Sequence, residues 1–274
     1  MFFEKITVVC FAASYALALI LEMAQLVRRR RALRWLAQAA CGAGLFAHSV
    51  FLVVHKLPLA SEAGSLFMLA WVLAVFSFLG SLHHRRLAWA LFVLPVGLVL
   101  IFLGSTFAQP IGDPPPSWSL ASLDGESFWR EMHVGFFVLA SVGICVAFIA
   151  SCMYLVQARR LKSKELATGG MRMLSQERLE VMHQRAIGMA FPFLTVGLLF
   201  SLIRMLQNDE DSLSWTDPRI ISTLILWVVF AVLVYMRLGR HLRGRRAALL
   251  TLLTFALLIL SLATSHHGPV GGSR

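Results

Sequence analysis

The sequence predicts an all-α integral membrane protein with about eight transmembrane helices. Of its 274 residues, 58% are hydrophobic and only 14% are charged, and the mean hydropathy is +0.74. A water-soluble chain carries about 25% charged residues, so a single soluble core cannot enclose this much apolar surface. The apolar residues also form eight long runs, and a helix that crosses a bilayer needs roughly 20 of them. These observations exclude a secreted domain, a cytosolic enzyme and a disordered chain.

Each apolar run predicts one helix, because lipid offers no partner for open backbone groups. The first run is followed by four consecutive arginines instead of a cleavage site, which indicates a membrane span and not a signal peptide. We expect one polytopic membrane domain over 1–274, with an N-terminal four-helix half at 1–130. The predicted spans are 6–26, 35–54, 62–82, 87–107, 132–157, 186–205, 219–237 and 247–265.

The distribution of charge predicts that both termini lie on the outer side of the membrane. In this orientation the inner segments carry 19 of the 25 Lys and Arg residues, and the outer segments carry ten of the 14 acids. Basic residues concentrate in cytoplasmic loops, so the formal charge of +11 reflects topology and indicates no nucleic-acid surface. The sequence therefore predicts a multi-pass protein of the cell inner membrane, embedded in the lipid bilayer.

The longest inner connection, 158–185, is basic at first and then turns amphipathic. Ser175 precedes the amphipathic stretch and is predicted to cap a helix there, since serine favours that position. Leu174, Leu179 and Met182 are predicted to lie along the membrane surface.

The nine histidines fall into two groups by their predicted side of the membrane. The inner group lies beside arginines and is explained by positions at the membrane interface. It comprises His83, His84, His183 and His241. The outer group comprises His48, His55, His133, His266 and His267. Each outer histidine alone is explained by a bond to water or to the backbone.

Taken together, the outer histidines and the tryptophans on the same side suggest a cofactor site. Imidazole suits iron, copper and zinc, and heme iron commonly takes a histidine axial ligand. No outer pair has the i, i+3 or i, i+4 spacing of a helical zinc or copper pair. Heme iron needs only one axial ligand on each face of the porphyrin, and these can come from distant helices. The porphyrin also needs aromatic walls, which Trp118, Trp129 and Trp215 would supply. Heme fits the pattern better than zinc or copper.

The cysteines predict no covalent cofactor attachment. Cys10, Cys41, Cys145 and Cys152 lie within apolar runs and form no CxxC, and the chain has no CxxCH motif. We interpret the four cysteines as small packing residues. Any heme that the chain binds is therefore expected to be non-covalent heme b.

Three segments resemble the cytochrome c assembly family, whose members are called CcsA, ResC and CcmC. Residues 131–157, EMHVGFFVLASVGICVAFIASCMYLVQ, resemble the family's His-Val-led helix, and residues 173–200 resemble the stretch that leads into the next helix. Residues 214–238, which begin SWTDPRIIST, are similar to the end of its tryptophan-rich motif and the helix after it. The likeness covers roughly 131–268, and the earlier residues match only in helix count and placement, as in HemX-like and YpjD-type proteins.

The resemblance implies that the chain handles heme at the outer face in cytochrome c biogenesis, holding it for delivery and attachment to apocytochrome c. In the family, one histidine before the tryptophan-rich loop and one after it are axial ligands of an external heme. The matching positions are His133 and either His266 or His267. The implied partners are heme, apocytochrome c and CcsB-type maturation proteins, with the chain as an assembly factor or a subunit of a cytochrome c synthase.

The resemblance also assigns pocket residues. The family's porphyrin-holding loop matches this sequence at Trp215, Asp217 and Pro218, which are therefore implied to line the pocket. Asp217 is equally placed to cap the seventh helix. His48 and His55 lie on one side of the second helix, and His48 is a candidate for a membrane histidine in the opposite half.

Two differences from the family leave alternative functions open. Only SWTD remains of a motif with several tryptophans, and Met236 lies in the helix where CcsA-type proteins have a membrane histidine. These differences favour an accessory subunit or a HemX-like membrane regulator of heme biosynthesis. A small-molecule transporter is a third hypothesis, because Glu22 is an acid within a span, although no paired broken helices are evident.

Overall fold

A computed structural model of the chain describes residues 7–28, 30–55, 62–83, 89–107, 125–163, 174–207, 218–239 and 244–264. These ranges contain eight α-helices, numbered α1 to α8 in chain order, and no strand, which confirms the all-α prediction. The helices are Val8–Val27, Arg31–His55, Glu62–His83, Ala90–Phe107, Gly125–Lys162, Gln176–Gln207, Pro218–Gly239 and Arg245–Thr264.

Seven of these helices are long and apolar enough, by length and composition, to cross a membrane. The remaining one, α4, is a shorter apolar helix of 18 residues. Its rise of about 27 Å is close to the hydrocarbon thickness of about 30 Å. Each predicted span therefore corresponds to an apolar helix of a multi-pass membrane protein. The side on which the termini lie stays a prediction.

Two helices extend well beyond the spans predicted for them. Helix α5 runs over Gly125–Lys162, against a predicted span of 132–157, and its 38 residues rise about 57 Å. Helix α6 begins at Gln176, ten residues before its predicted span. Hydropathy marks only the part of a helix that crosses lipid, whereas polar helix formers such as Arg, Gln and Glu continue the helix beyond it.

Ser175 caps α6 as predicted, but the amphipathic segment after it is not a separate surface element. The Ser175 Oγ accepts a hydrogen bond from the Arg178 N–H at 3.4 Å, and its carbonyl accepts one from the Leu179 N–H at 3.0 Å. The expected surface position of Leu179 is wrong, because its side chain is only 1% exposed. Leu179 begins a buried stripe at helical spacing. The stripe continues with His183, Ile187, Ala190 and Leu194.

The chain forms two compact units. The first contains residues 1–115 and 155–179, and the second contains 116–154 and 180–274. In the first unit α1 packs against α2 and α4, and α3 packs against α4. In the second unit α7 packs against α8. Helices α5 and α6 approach closely at Gly143, where a Cβ would lie 2.6 Å from the Cβ of Ala190.

Candidate functional site

The candidate site in the second unit centres on His133, which lies in the first third of α5. Its side chain is half-buried, and its Nδ1 lies 2.7 Å from the carbonyl oxygen of Gly197 on α6. A carbonyl oxygen can only accept, so Nδ1 donates and carries the ring proton. In the neutral imidazole the lone pair therefore lies on Nε2, the nitrogen that can ligate a metal.

Small residues bring α6 close enough to α5 for this hydrogen bond. A Cβ at Gly197 would lie 3.5 Å from the His133 carbonyl oxygen, the Phe136 Cβ and the Phe137 nitrogen. The same two helices approach still more closely at Gly143, as described above. The glycines thus place a helix carbonyl within bonding distance of the His133 ring.

An aromatic cluster lies beside His133 in the same unit. The rings of Trp129 and Phe200 are 5.6 Å apart, and those of Phe200 and Phe136 stack at 5.5 Å. The ring of Phe137 stacks on the His133 imidazole at 6.2 Å. Phe200 of α6 packs between Trp129 and Phe136 of α5, so the pairing of the two helices places aromatic rings on the same stretch of α5 as His133.

Trp129 is the one member of this cluster that the sequence analysis named. Phe136, Phe200 and Gly197 were missed, because their role depends on the pairing of α5 with α6. The signal available in the sequence was spacing: Phe136 follows His133 by three residues and Phe200 follows Gly197 by three, so each pair shares a helix face.

His48 is fully buried among aromatic side chains of the first unit. Its ring stacks on Phe11 with centroids 4.1 Å apart, meets Phe67 edge to face, and lies with Nδ1 3.4 Å from the hydroxyl of Tyr15. Its Nε2 has no hydrogen-bond partner within the part of the chain that the structure describes. His55 is half-buried and bonds its own helix, with Nδ1 3.1 Å from the Phe51 carbonyl oxygen.

Several predicted site residues lie outside the described residues. They are Trp118, Trp215, Asp217, His266 and His267. Pro218 is the first residue of α7, although its side chain is not described. The structure therefore places His133, His48 and His55 individually and leaves the second axial position as a prediction.

The structure gives His183 a different setting from the interfacial position expected for it. Its side chain is 5% exposed, and its Nε2 lies 2.6 Å from the hydroxyl of Thr251 on α8. That hydroxyl donates to the Ala247 carbonyl oxygen at 2.9 Å, so Nε2 is the donor to Thr251. The position of His183 within the buried stripe of α6 was the sequence signal for its burial.

Two further hydrogen bonds of Glu180 connect α6 to Arg237 and to the residue before α8 in the same unit. The Glu180 carboxylate accepts a hydrogen bond from the Gly244 N–H at 3.2 Å, and its carbonyl accepts one from Arg237 at 3.3 Å. Gly244 has a φ of +74°, a conformation that glycine adopts without strain. These contacts hold one end of the second unit together, and we assign them a structural role.

Within the described ranges, no group of three His, Cys, Asp or Glu side chains is arranged to hold a metal ion. The four cysteines are free thiols: Cys41 and Cys145 are buried, Cys152 is half-buried and Cys10 is exposed. A single histidine beside an aromatic surface is the arrangement that remains.

The apolar helices and this histidine site together define a multi-pass membrane protein with a candidate cofactor site at one end of a helix pair. The cytochrome c assembly protein family matches residues 59–266 of the chain. The chain therefore belongs to that family. The match begins well before residue 131, where the resemblance seen in the sequence began.

Relatives with the name cytochrome c biogenesis protein CcsA show the same similarity. The protein from Synechococcus elongatus is 26% identical, with 73% of each chain covered, and that from Gloeobacter violaceus is 27% identical, with 72% covered. The protein from Chlamydomonas reinhardtii is 25% identical over 47% of this chain and 35% of its own. No solved structure matches the chain. These comparisons give no support to the HemX-like alternative.

Proposed function

We propose that the protein binds heme at the predicted outer face and holds it for delivery to apocytochrome c. The observation that carries this proposal is the hydrogen bond from His133 Nδ1 to the Gly197 carbonyl. Histidines that ligate metals almost always donate their other ring N–H to a carboxylate, a backbone carbonyl or water, which fixes the tautomer and the ring orientation. Membership of the cytochrome c assembly family supports the same function.

The residues around His133 fit heme as a cargo. Bound heme supplies an iron that takes imidazole nitrogens as axial ligands. Trp129, Phe136 and Phe200 offer the aromatic surface against which a flat, apolar macrocycle packs. We propose His266 or His267 as the second axial ligand.

The proposed pocket includes residues beyond the two axial ligands. Trp215, Asp217 and Pro218 are proposed to complete it, on the strength of the family resemblance. His48 is proposed as a cofactor-binding position in the first unit, since a buried ring nitrogen without a partner costs about 1–3 kcal/mol. His55 is the weaker candidate of that pair, because its Nδ1 bonds its own helix.

We further propose that the heme is non-covalent heme b and that apocytochrome c supplies the thiols to which it becomes attached. The absence of CxxC and CxxCH motifs from this sequence supports that division of roles. The relatives' name as cytochrome c biogenesis proteins supports other maturation proteins as partners, and we propose the CcsB type among them from the family resemblance. The proposed location is the cytoplasmic membrane, with the chain acting as an assembly factor.

The visible spectrum of full-length protein, purified in detergent from cells supplied with heme, tests this function. We expect low-spin heme bands in the oxidised and reduced wild type, and their loss or shift in one of two variants, His266→Ala or His267→Ala. His84→Ala removes a histidine from the predicted inner side and is expected to leave the bands unchanged. A wild type without heme would contradict the proposal. Bands that survive in the double variant His266→Ala, His267→Ala would contradict the assignment of the second ligand.

A further inference from the structure

Exposed positive charge flanks the short connection between α1 and α2. Helix α1 ends at Val27 and α2 begins at Arg31, and Arg28, Arg30 and Arg31 are all exposed. The Arg28 N–H donates to the Ala24 carbonyl and the Arg30 N–H donates to the Arg28 carbonyl, both at 2.8 Å. We call these three arginines the basic turn.

Exposed apolar side chains flank the basic turn. Val27 is 85% exposed, and Trp35 and Leu36 are 58% and 56% exposed. Trp35 follows Arg31 by four residues, so the two share one side of α2. Tryptophan favours the depth of lipid headgroups, and the guanidinium of arginine pairs with phosphate through two parallel hydrogen bonds. This pairing of side chains is suited to a surface where phosphate and hydrocarbon meet.

Little negative charge offsets the basic turn within its own helix pair. The first turn of α2 contains no acidic residue. Glu22 on α1 is the nearest acid along the chain and precedes Arg28 by six residues. The positive end of the α2 dipole adds to the same potential.

We propose that the basic turn, together with Trp35, binds the phosphate headgroup of an anionic phospholipid in the surrounding leaflet. The partner is a membrane lipid with net negative charge, such as phosphatidylglycerol, and the site lies within the first unit. Basic clusters next to a membrane helix recognise anionic lipids in this way. The turn then anchors the junction of α1 and α2 at a defined depth in the membrane.

The test measures quenching of Trp35 by lipids with brominated tails. Full-length protein in detergent is titrated with brominated phosphatidylglycerol or phosphatidylcholine, and the Trp35→Phe protein is titrated alongside to isolate the Trp35 signal. We expect phosphatidylglycerol to half-saturate the signal at a roughly hundredfold lower concentration than phosphatidylcholine, given about fivefold for each of the three arginines near the lipid. In the triple variant Arg28→Gln, Arg30→Gln, Arg31→Gln, that preference is expected to disappear.

The control variant Arg178→Gln, Arg185→Gln, Arg245→Gln removes the same charge from three other exposed positions and is expected to keep the preference. Equal loss in both triple variants, or no preference in the wild type, would overturn the proposal. Competition by millimolar inorganic phosphate without any lipid preference would indicate a free-anion site and would also overturn it. If the glutamine variant fails to fold, a lysine version keeps the charge and is expected to retain most of the preference, which salt should weaken.

Discussion

Leucine in place of Gly143 is expected to prevent the second unit from folding. A Cβ at this position would lie 2.6 Å from the Ala190 Cβ and 3.1 Å from the Ala186 carbonyl oxygen. One of these atoms is a Cβ and the other is a backbone oxygen of α6. Neither can move aside by a change of side-chain rotamer, so α5 and α6 would have to separate. Overpacking of a core costs about 1–3 kcal/mol; we expect Gly143→Ala to fall in this range and Gly143→Leu above it.

Size-exclusion chromatography and thermal unfolding in detergent measure this effect, with Gly135→Ala and Gly188→Ala as controls. Among the described residues, no atom lies within 4 Å of a Cβ built at either control position. Alanine favours a helix over glycine by about 1 kcal/mol, so the controls should match or slightly exceed the wild type in stability. A monodisperse Gly143→Leu protein with the wild-type Tm would contradict the close approach of α5 and α6.

Alanine in place of His133 is expected to lower the amount of heme that the protein retains by at least about tenfold. A group that orients a metal ligand is typically worth about 10–100-fold in metal affinity, and the substitution removes the ligand itself. The pyridine hemochrome assay gives heme per protein. The heme-free variant loses the hydrogen bond to Gly197, about 1 kcal/mol, and the stacking on Phe137, so its Tm should fall by several degrees at most relative to the heme-free wild type. An unchanged heme content would show that His133 is no ligand.

The sequence was sufficient to predict the eight helices, because each had to be a long apolar run to cross lipid. It was less informative about where helices end. Residues 125–131 and 176–185 contain Glu, Arg and Gln, which fall outside a hydropathy window yet continue α5 and α6 as regular helix. The Ser175 cap was predictable, since it depends only on local sequence and its bond spans three residues.

The candidate site was predictable only in part, because it depends on contacts between helices. His133 stood out by residue type and by its place at the start of a span. Gly197 and Phe200 acquire their roles from the register between α5 and α6, which a single sequence does not specify. For His183 the prediction was wrong. Its neighbouring arginines indicated a position at the membrane interface, whereas its hydrogen bond to Thr251 and its burial place it in the core.

The most direct test of heme ligation by His133 is chemical rescue of the His133→Gly variant with imidazole. Glycine removes the side chain and leaves room for a free imidazole to replace it at the iron. We expect the purified variant, reconstituted with heme, to lack the low-spin bands of the wild type and to regain them as imidazole is added, while His84→Gly neither loses nor gains bands. Low-spin bands in His133→Gly before any imidazole is added would contradict the assignment of His133 as an axial ligand.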